Sequence, residues 1–188
     1  MAYYVWISEI MLQQTRVEAV KPFYARFLNA LPTVSDLADV EEDKLLKLWE
    51  GLGYYNRVRN MQKAAQQIME IHGGEFPREF EAIRGLTGIG NYTAGAIGSF
   101  AFGIPKPAVD GNVLRVISRI TGSYDDIMKA STKTKVEEQL SEVIPKDAAC
   151  DFNQGLIELG AIVCVPNGAP KCEACPLAHI CEAHQKGI

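Results

Sequence analysis

The 188 residues predict an all-α protein. Three observations carry that expectation. Apolar residues recur with the period of a helix, no stretch alternates with the period of a strand, and prolines and a glycine pair punctuate the chain at helix-length intervals. The first helical stretch contains Val5, Trp6, Ile7, Ile10, Met11 and Leu12. Val20, Phe23, Tyr24 and Phe27 form the next stripe, with Pro22 expected in its first turn, where a missing N–H is tolerated. Leu45, Leu48, Trp49 and Leu52 recur at i, i+3, i+4, i+7, and Met61, Ala64, Ala65, Ile68 and Met69 continue the pattern. Residues 91–102 are rich in Ala and Gly, which suits a helix pressed closely against its neighbours. Three more stripes follow: Val113, Val116, Ile117, Ile120; then Val136, Leu140, Val143, Ile144; then Phe152, Leu156, Leu159, Gly160, Val163. Short loops are expected at Pro32, Gly73-Gly74, Pro105-Lys106-Pro107 and Pro145. Residues 25–123 read as one helical block, and residues 1–24 with 124–188 are expected to join as a second lobe.

Composition is that of a globular chain, 47% hydrophobic and 22% charged, which excludes disordered, collagen-like and fibrous classes. The longest apolar run, around Ala161 to Val165, falls far short of the roughly 18 residues of a membrane span. The N-terminus has no basic segment and reaches an acid at Glu9, so neither a signal peptide nor a membrane partner is expected. A cytoplasmic location and a monomeric state are expected. The net charge of −4 argues against nucleic acid, whose binders are usually basic. The average hides a segregation: five acids and no base lie between Asp36 and Asp43, whereas Arg84, Lys106, Arg115 and Arg119 face Asp110 alone between Arg84 and Arg119. That arrangement permits a polyanion site without requiring one.

Four of the five cysteines, Cys164, Cys172, Cys175 and Cys181, fall within the last 25 residues. A disulfide framework would be spread through a small secreted chain, so thiolate ligands of a metal centre are the better reading. Zinc sites more often pair two C-x2-C knuckles, and only one is present here. A [4Fe–4S] cluster tolerates unequal spacings from one loop and is favoured over zinc. Cys150 reads as a small core residue.

Leu86-Thr87-Gly88-Ile89-Gly90-Asn91-Tyr92-Thr93-Ala94 sets Gly88 and Gly90 directly before the small-residue helix. Backbone N–H groups aimed outward at a helix N-terminus form a phosphate site; an ordinary helix corner is the plainer alternative. The amphipathic segment before it makes the pattern a helix-hairpin-helix element. Asp110-Gly111-Asn112-Val113 puts an Asp at a helix start, as an N-cap, as a carboxylate beside a reacting centre, or as both. Ser8-Glu9-Ile10-Met11-Leu12-Gln13-Gln14-Thr15 sets a lone Glu among apolar residues. Partial burial would raise its pKa toward that of a general acid, whereas a solvated helix glutamate is the commoner case. Gln13 and Gln14 offer amides suited to base edges, or a polar helix face. In Gly51-Leu52-Gly53-Tyr54-Tyr55-Asn56-Arg57-Val58-Arg59, Tyr54 can stack on a base while Arg57 or Arg59 meets phosphate; packed tyrosines after a helix end are the alternative.

Together and in this order, these motifs resemble the helix-hairpin-helix base-excision glycosylases, and among them the catalytic domain of the MutY-type adenine DNA glycosylases. The resemblance runs from about Tyr4 to Ala183. It implies a two-lobe fold with a C-terminal [4Fe–4S] loop held by the four cysteines. It implies a monofunctional enzyme that cleaves adenine, mispaired with 8-oxoguanine or guanine, from double-stranded DNA, within the nucleoid if the source is bacterial. Glu9 would protonate the departing base at N7, and Asp110 would stabilise the sugar cation or bond to it transiently. Tyr92 and Asn112 would support the site, and Gln14 and Tyr54 would probe the opened duplex. Gln13, Arg57, Gly88 and Gly90 are read as DNA contacts from the residues themselves, and Lys171 either meets phosphate from the cluster loop or is simply solvated. An endonuclease III-like glycosylase/lyase would carry its Schiff-base lysine at the position of Tyr92. A non-catalytic DNA-binding module is the remaining alternative. Thr87 stands where the family usually has Pro. The first cysteine gap is one residue longer than is common, which places a bulge at Asn167-Gly168. A family segment upstream of the Glu motif, and a C-terminal lesion-recognition domain, have no counterpart in these residues.

Overall fold

The computed structural model describes residues 2–188, and every regular element among them is helical. No described helix is long and apolar enough to cross a membrane. Contacts gather into two compact units, Met1–Phe102 and Gly103–Ile188. This division departs from the one read from sequence, 25–123 against the two chain ends.

The first unit holds α1 (Ala2–Leu12), α2 (Val17–Ala30), α3 (Val34–Asp39), α4 (Glu42–Trp49), α5 (Asn56–His72), α6 (Phe80–Arg84) and α7 (Asn91–Phe102). The reason α1 belongs here is its packing. Trp6, Ile7 and Met11 are fully buried, and α1 lies on α7, whose Ala94, Ala96, Ile97 and Ser99 are likewise fully buried. Small side chains on α7 let the two helices approach closely, as the Ala/Gly content of 91–102 predicts. Each fully buried Ile or Met contributes about 1.5–3 kcal/mol, so one such face is enough to hold a short helix in place.

Pro22 is not in a first turn. Helix α2 begins at Val17, and the proline lies inside it. An interior proline costs about 3 kcal/mol, but Val20 and Phe27 of the same helix are buried and offset it at about 1.5–3 kcal/mol each. The acidic run also has a local explanation. Asp36 forms a reciprocal capping box with Thr33 at the start of α3, and Glu42 and Asp43 lie in the first turn of α4, where the helix dipole favours negative charge.

Between α6 and α7 the chain makes the expected hairpin. Leu86 and Ile89 are buried beneath it, and the Ile89 N–H donates to the Leu86 carbonyl at 3.1 Å. Gly88 takes φ +80°, and a Cβ there would stand 2.8 Å from Asn60 Cβ, so backbone conformation and space both demand glycine.

The second unit contains α8 (Gly111–Thr121), α9 (Ala130–Val143) and α10 (Ala149–Glu158), which runs on into a π-helical turn, Leu159–Val163. A loop with two short 3-10 turns leads to α11 (Glu182–Gln185). Val109, Val113, Leu114, Val116, Val136, Leu140, Leu156 and Leu159 make its core. Cys150 is half-buried rather than a core residue. Gly160 lies against α8 so closely that a Cβ would stand 2.6 Å from Asn112 Cβ. Asn153 is 1% exposed; its Oδ1 accepts from the Ala108 N–H at 3.0 Å and its Nδ2 donates to the Lys106 carbonyl at 2.9 Å. One side chain thus fixes the proline-flanked segment that leads into Asp110.

Two stability effects follow. Asn153→Ala strands both backbone groups, and urea unfolding is expected to show a loss of about 2–4 kcal/mol. Asn153→Asp, which can accept but not donate when ionised, should recover at most half of that. Gly160→Ala should cost about 1–3 kcal/mol by forcing α8 away; an unchanged unfolding midpoint would contradict the close approach.

Candidate active site

The first cluster is built on α1 and α7. Glu9 sits on the apolar face of α1 and is only 9% exposed. Its Oε2 accepts a hydrogen bond from the Tyr92 hydroxyl at 2.9 Å. Tyr92 is the second residue of α7, so the helix that follows the hairpin also delivers the partner of the carboxyl. The solvated-glutamate alternative is thereby removed: this carboxyl is buried and held.

The second cluster opens α8. Asp110 is the N-cap, with Oδ1 accepting from the Val113 N–H at 2.8 Å. Its Oδ2 accepts from Asn112 Nδ2 at 2.9 Å. Both carboxylate oxygens are therefore engaged, and Asp110 takes the N-cap role that the sequence offers. Arg115, one turn on, extends the chain of bonds. Its Nη2 donates to Asn112 Oδ1 at 3.1 Å and to the Gly160 carbonyl at 2.6 Å, and its Nε to the Cys164 carbonyl at 2.9 Å. Sequence reasoning counted Arg115 only as one charge of a basic stretch. Its spacing of three from Asn112, on one helix face, was the available signal.

That basic stretch is largely committed within the protein. Arg84 pairs with Glu81 at 2.7 Å, and Arg119 donates to the Ile188 carbonyl at 2.7 Å. Arg57 is likewise drawn inward rather than toward phosphate. Nη1 donates to the carbonyls of Ile10 (3.0 Å) and Gln13 (2.6 Å), and Nη2 to those of Leu52 (3.1 Å) and Gly53 (3.3 Å). Burial lowers its pKa from the ordinary guanidinium value, with Tyr54 acting in the opposite sense. Arg59, the other phosphate candidate, pairs with Glu42 at 2.7 Å. Gln14 and Tyr54 are both exposed, Tyr54 at 68%. Gln13 is half-buried. Gly88 and Gly90 are exposed at the start of α7, and nothing lies within 4 Å of where a Gly90 Cβ would be, so this turn is open to an approaching group. The Thr87 N–H is taken by Gln67 Oε1 at 2.8 Å.

The third cluster is the cysteine loop. Cys164, Cys172, Cys175 and Cys181 carry free thiols, and all four line one apolar-walled hollow with Val116, Leu159 and Lys171. Lys171 is exposed at its rim, and Gly168 at the expected bulge has φ +84°. Burial pushes the Cys164 thiol up, while the Arg119 and Arg115 guanidinia draw it down. Among the described residues no three Cys, His, Asp or Glu side chains converge as a single metal ion requires.

Comparison with known proteins identifies relatives of the chain as a whole. The model of the HhH-GPD superfamily of base excision DNA repair proteins matches residues 7–146. Adenine DNA glycosylase of Schizosaccharomyces pombe is 41% identical over 186 residues, covering 98% of this chain and 40% of that protein. The Homo sapiens protein of that name is 42% identical over 190 residues, covering 98% and 34%, and that of Buchnera aphidicola subsp. Baizongia pistaciae 41% over 187, covering 97% and 51%. The chain thus spans about a third to a half of the length of these relatives. Among solved structures, a thermostable thymine-DNA glycosylase superposes with a TM-score of 0.88 at 30% identity, covering 98% of this chain and 85% of that one. A trapped covalent endonuclease III–DNA intermediate superposes at 0.83 and 28% identity, covering 99% and 85%. With its hairpin and all-helical fold, the chain belongs to the HhH-GPD superfamily of base excision DNA repair proteins.

Proposed function

We propose that this chain is the catalytic region of a monofunctional DNA glycosylase that hydrolyses the N-glycosidic bond of adenine mispaired with 8-oxoguanine or guanine in double-stranded DNA. The observation that carries the reading is the Tyr92–Glu9 hydrogen bond. At the position where a glycosylase/lyase would hold its Schiff-base lysine, this chain has a phenol that fixes a buried carboxyl. The adenine DNA glycosylase relatives support the choice of base.

Adenine is a poor leaving group, so the bond breaks usefully only if the base gains a proton as the sugar cation meets negative charge. Glu9, held by Tyr92, gives its proton to N7. The C1′–N9 bond then breaks with its electron pair leaving on adenine. The cation at C1′ faces the Asp110 carboxylate, whose two oxygens are oriented by Val113 N–H and Asn112. Water adds at C1′ and gives its proton back to the Glu9 carboxylate, leaving an abasic site and free adenine. Two carboxyl groups in different surroundings divide this labour. The base must first leave the stack, and Gln14 and Tyr54, both exposed, would meet the opened duplex. Open backbone at Gly88 and Gly90 is suited to phosphate, as is exposed Lys171.

Cys164, Cys172, Cys175 and Cys181 would hold a [4Fe–4S] cluster, which supplies order to the loop 164–181 when bound. The four cysteines line one hollow, and their spacing, with a single C-x2-C pair, supports a cluster over a single zinc ion.

In single-turnover assays, Glu9→Gln and Asp110→Asn should each slow adenine release about 10²–10⁴-fold while DNA affinity stays within a few-fold. Near-normal rates in either variant would defeat the assignment. Tyr92→Phe should lose about tenfold, the size of one hydrogen bond. Strong borohydride trapping of a wild-type DNA adduct would overturn the monofunctional reading. Metal analysis should return about four iron and four sulfide per chain; stoichiometric zinc would refute the cluster.

A further inference from the structure

Among the described residues, the only non-glycine positions with positive φ are Gln14 at 58° and Tyr54 at 47°. An L-residue keeps that conformation only where its surroundings impose it. Here one side chain touches both places. The Arg57 guanidinium grips the carbonyl of Gln13, immediately before Gln14, and that of Gly53, immediately before Tyr54. It takes two further carbonyls, of Ile10 at the end of α1 and Leu52 in the α4–α5 loop. Trp49 reinforces the second grip, its Nε1 donating to the Gly53 carbonyl at 2.9 Å, and the Trp49 and Tyr54 rings lie 5.4 and 5.5 Å from the guanidinium carbon.

Stability alone does not account for this arrangement. Arg57 Nε is buried without a hydrogen-bond partner, so the four carbonyls are held by Nη1 and Nη2 alone. The two strained residues are both exposed, so neither side chain fills the protein's own core. Local strain at both places marks a site shaped for something outside the chain.

We propose that Arg57 is a positioning residue that presets Gln14 and Tyr54 as a paired probe of an opened base pair. This rests on the reading of the chain as a mispair glycosylase. Holding both residues in place before contact spares the ordering that binding would otherwise require. Arg57 itself touches no DNA; it acts through the two residues beside its acceptors.

The test is a mutant cycle read as a ratio: affinity for a duplex with adenine opposite 8-oxoguanine, over affinity for the same duplex fully paired, at stated salt. Arg57→Met should lower that ratio about tenfold in the wild-type background while leaving paired-duplex affinity within about twofold. In a Gln14→Ala/Tyr54→Ala background, where the probe is already gone, adding Arg57→Met should change the ratio by less than about twofold. Arg57→Lys keeps the charge but cannot span four carbonyls, and should behave as Arg57→Met does; it serves if the methionine variant fails to fold. An equal loss in both backgrounds, or an equal fall in affinity for both duplexes, would make Arg57 a structural staple and overturn the proposal alone. A wild-type protein that does not distinguish the duplexes would overturn the mispair reading, and the probe with it.

Discussion

The burial of one carboxyl group governs the first unit of this protein. Glu9 can sit on the apolar face of α1 only because α7 brings a phenol to meet it, and α7 can come that close only because its buried residues are small. Packing and chemistry are therefore one requirement. A bulkier residue at Ala94 or Ala96 would separate the helices and strand the carboxyl together. The hairpin before α7 takes part in the same constraint, since it fixes where the helix starts and hence which turn presents Tyr92.

The second unit solves the opposite problem. Asp110 is not sunk into an apolar face but capped at a helix start, with a backbone N–H on one oxygen and an amide on the other. Those donors orient the carboxylate. The two carboxyl groups thus differ by construction, one enclosed among aromatic and aliphatic side chains and the other surrounded by donors.

Much of this was legible in the sequence. The helical stripes placed most of the long helices, because periodicity reports burial directly, and the Ala/Gly run foretold the close packing of α7. Glu9, Asp110 and the cysteines stood out because each residue type was unusual in its local company. What stayed hidden depends on distant partners. Nothing local distinguishes Arg57 or Arg115, which bond carbonyls 4 to 47 and 4 to 49 residues away respectively, from solvated charges. Asn153, likewise, is buried and shapes the approach to Asp110 through backbone partners 45 and 47 residues away. Pro22 was misplaced because a breaker signal carries no information about the burial that outweighs it. Helix α1 packs where its apolar face finds α7, and proximity along the chain does not announce that.

The π-helical turn at Leu159–Val163 fixes the phase of everything after it. A π turn is an α-helix with one residue too many, and here that residue is accommodated where Cys164 N–H reaches back to the Leu159 carbonyl at 2.7 Å. Deleting one residue from the turn would let the backbone relax into ordinary α-helix and swing all that follows by about 100° around the helix axis. Cys164 would leave the hollow, and the carbonyls that Arg115 holds would turn away with it. The cysteine loop is thus indexed to α10 by a count of residues, so this turn should tolerate changes of side chain far better than changes of length.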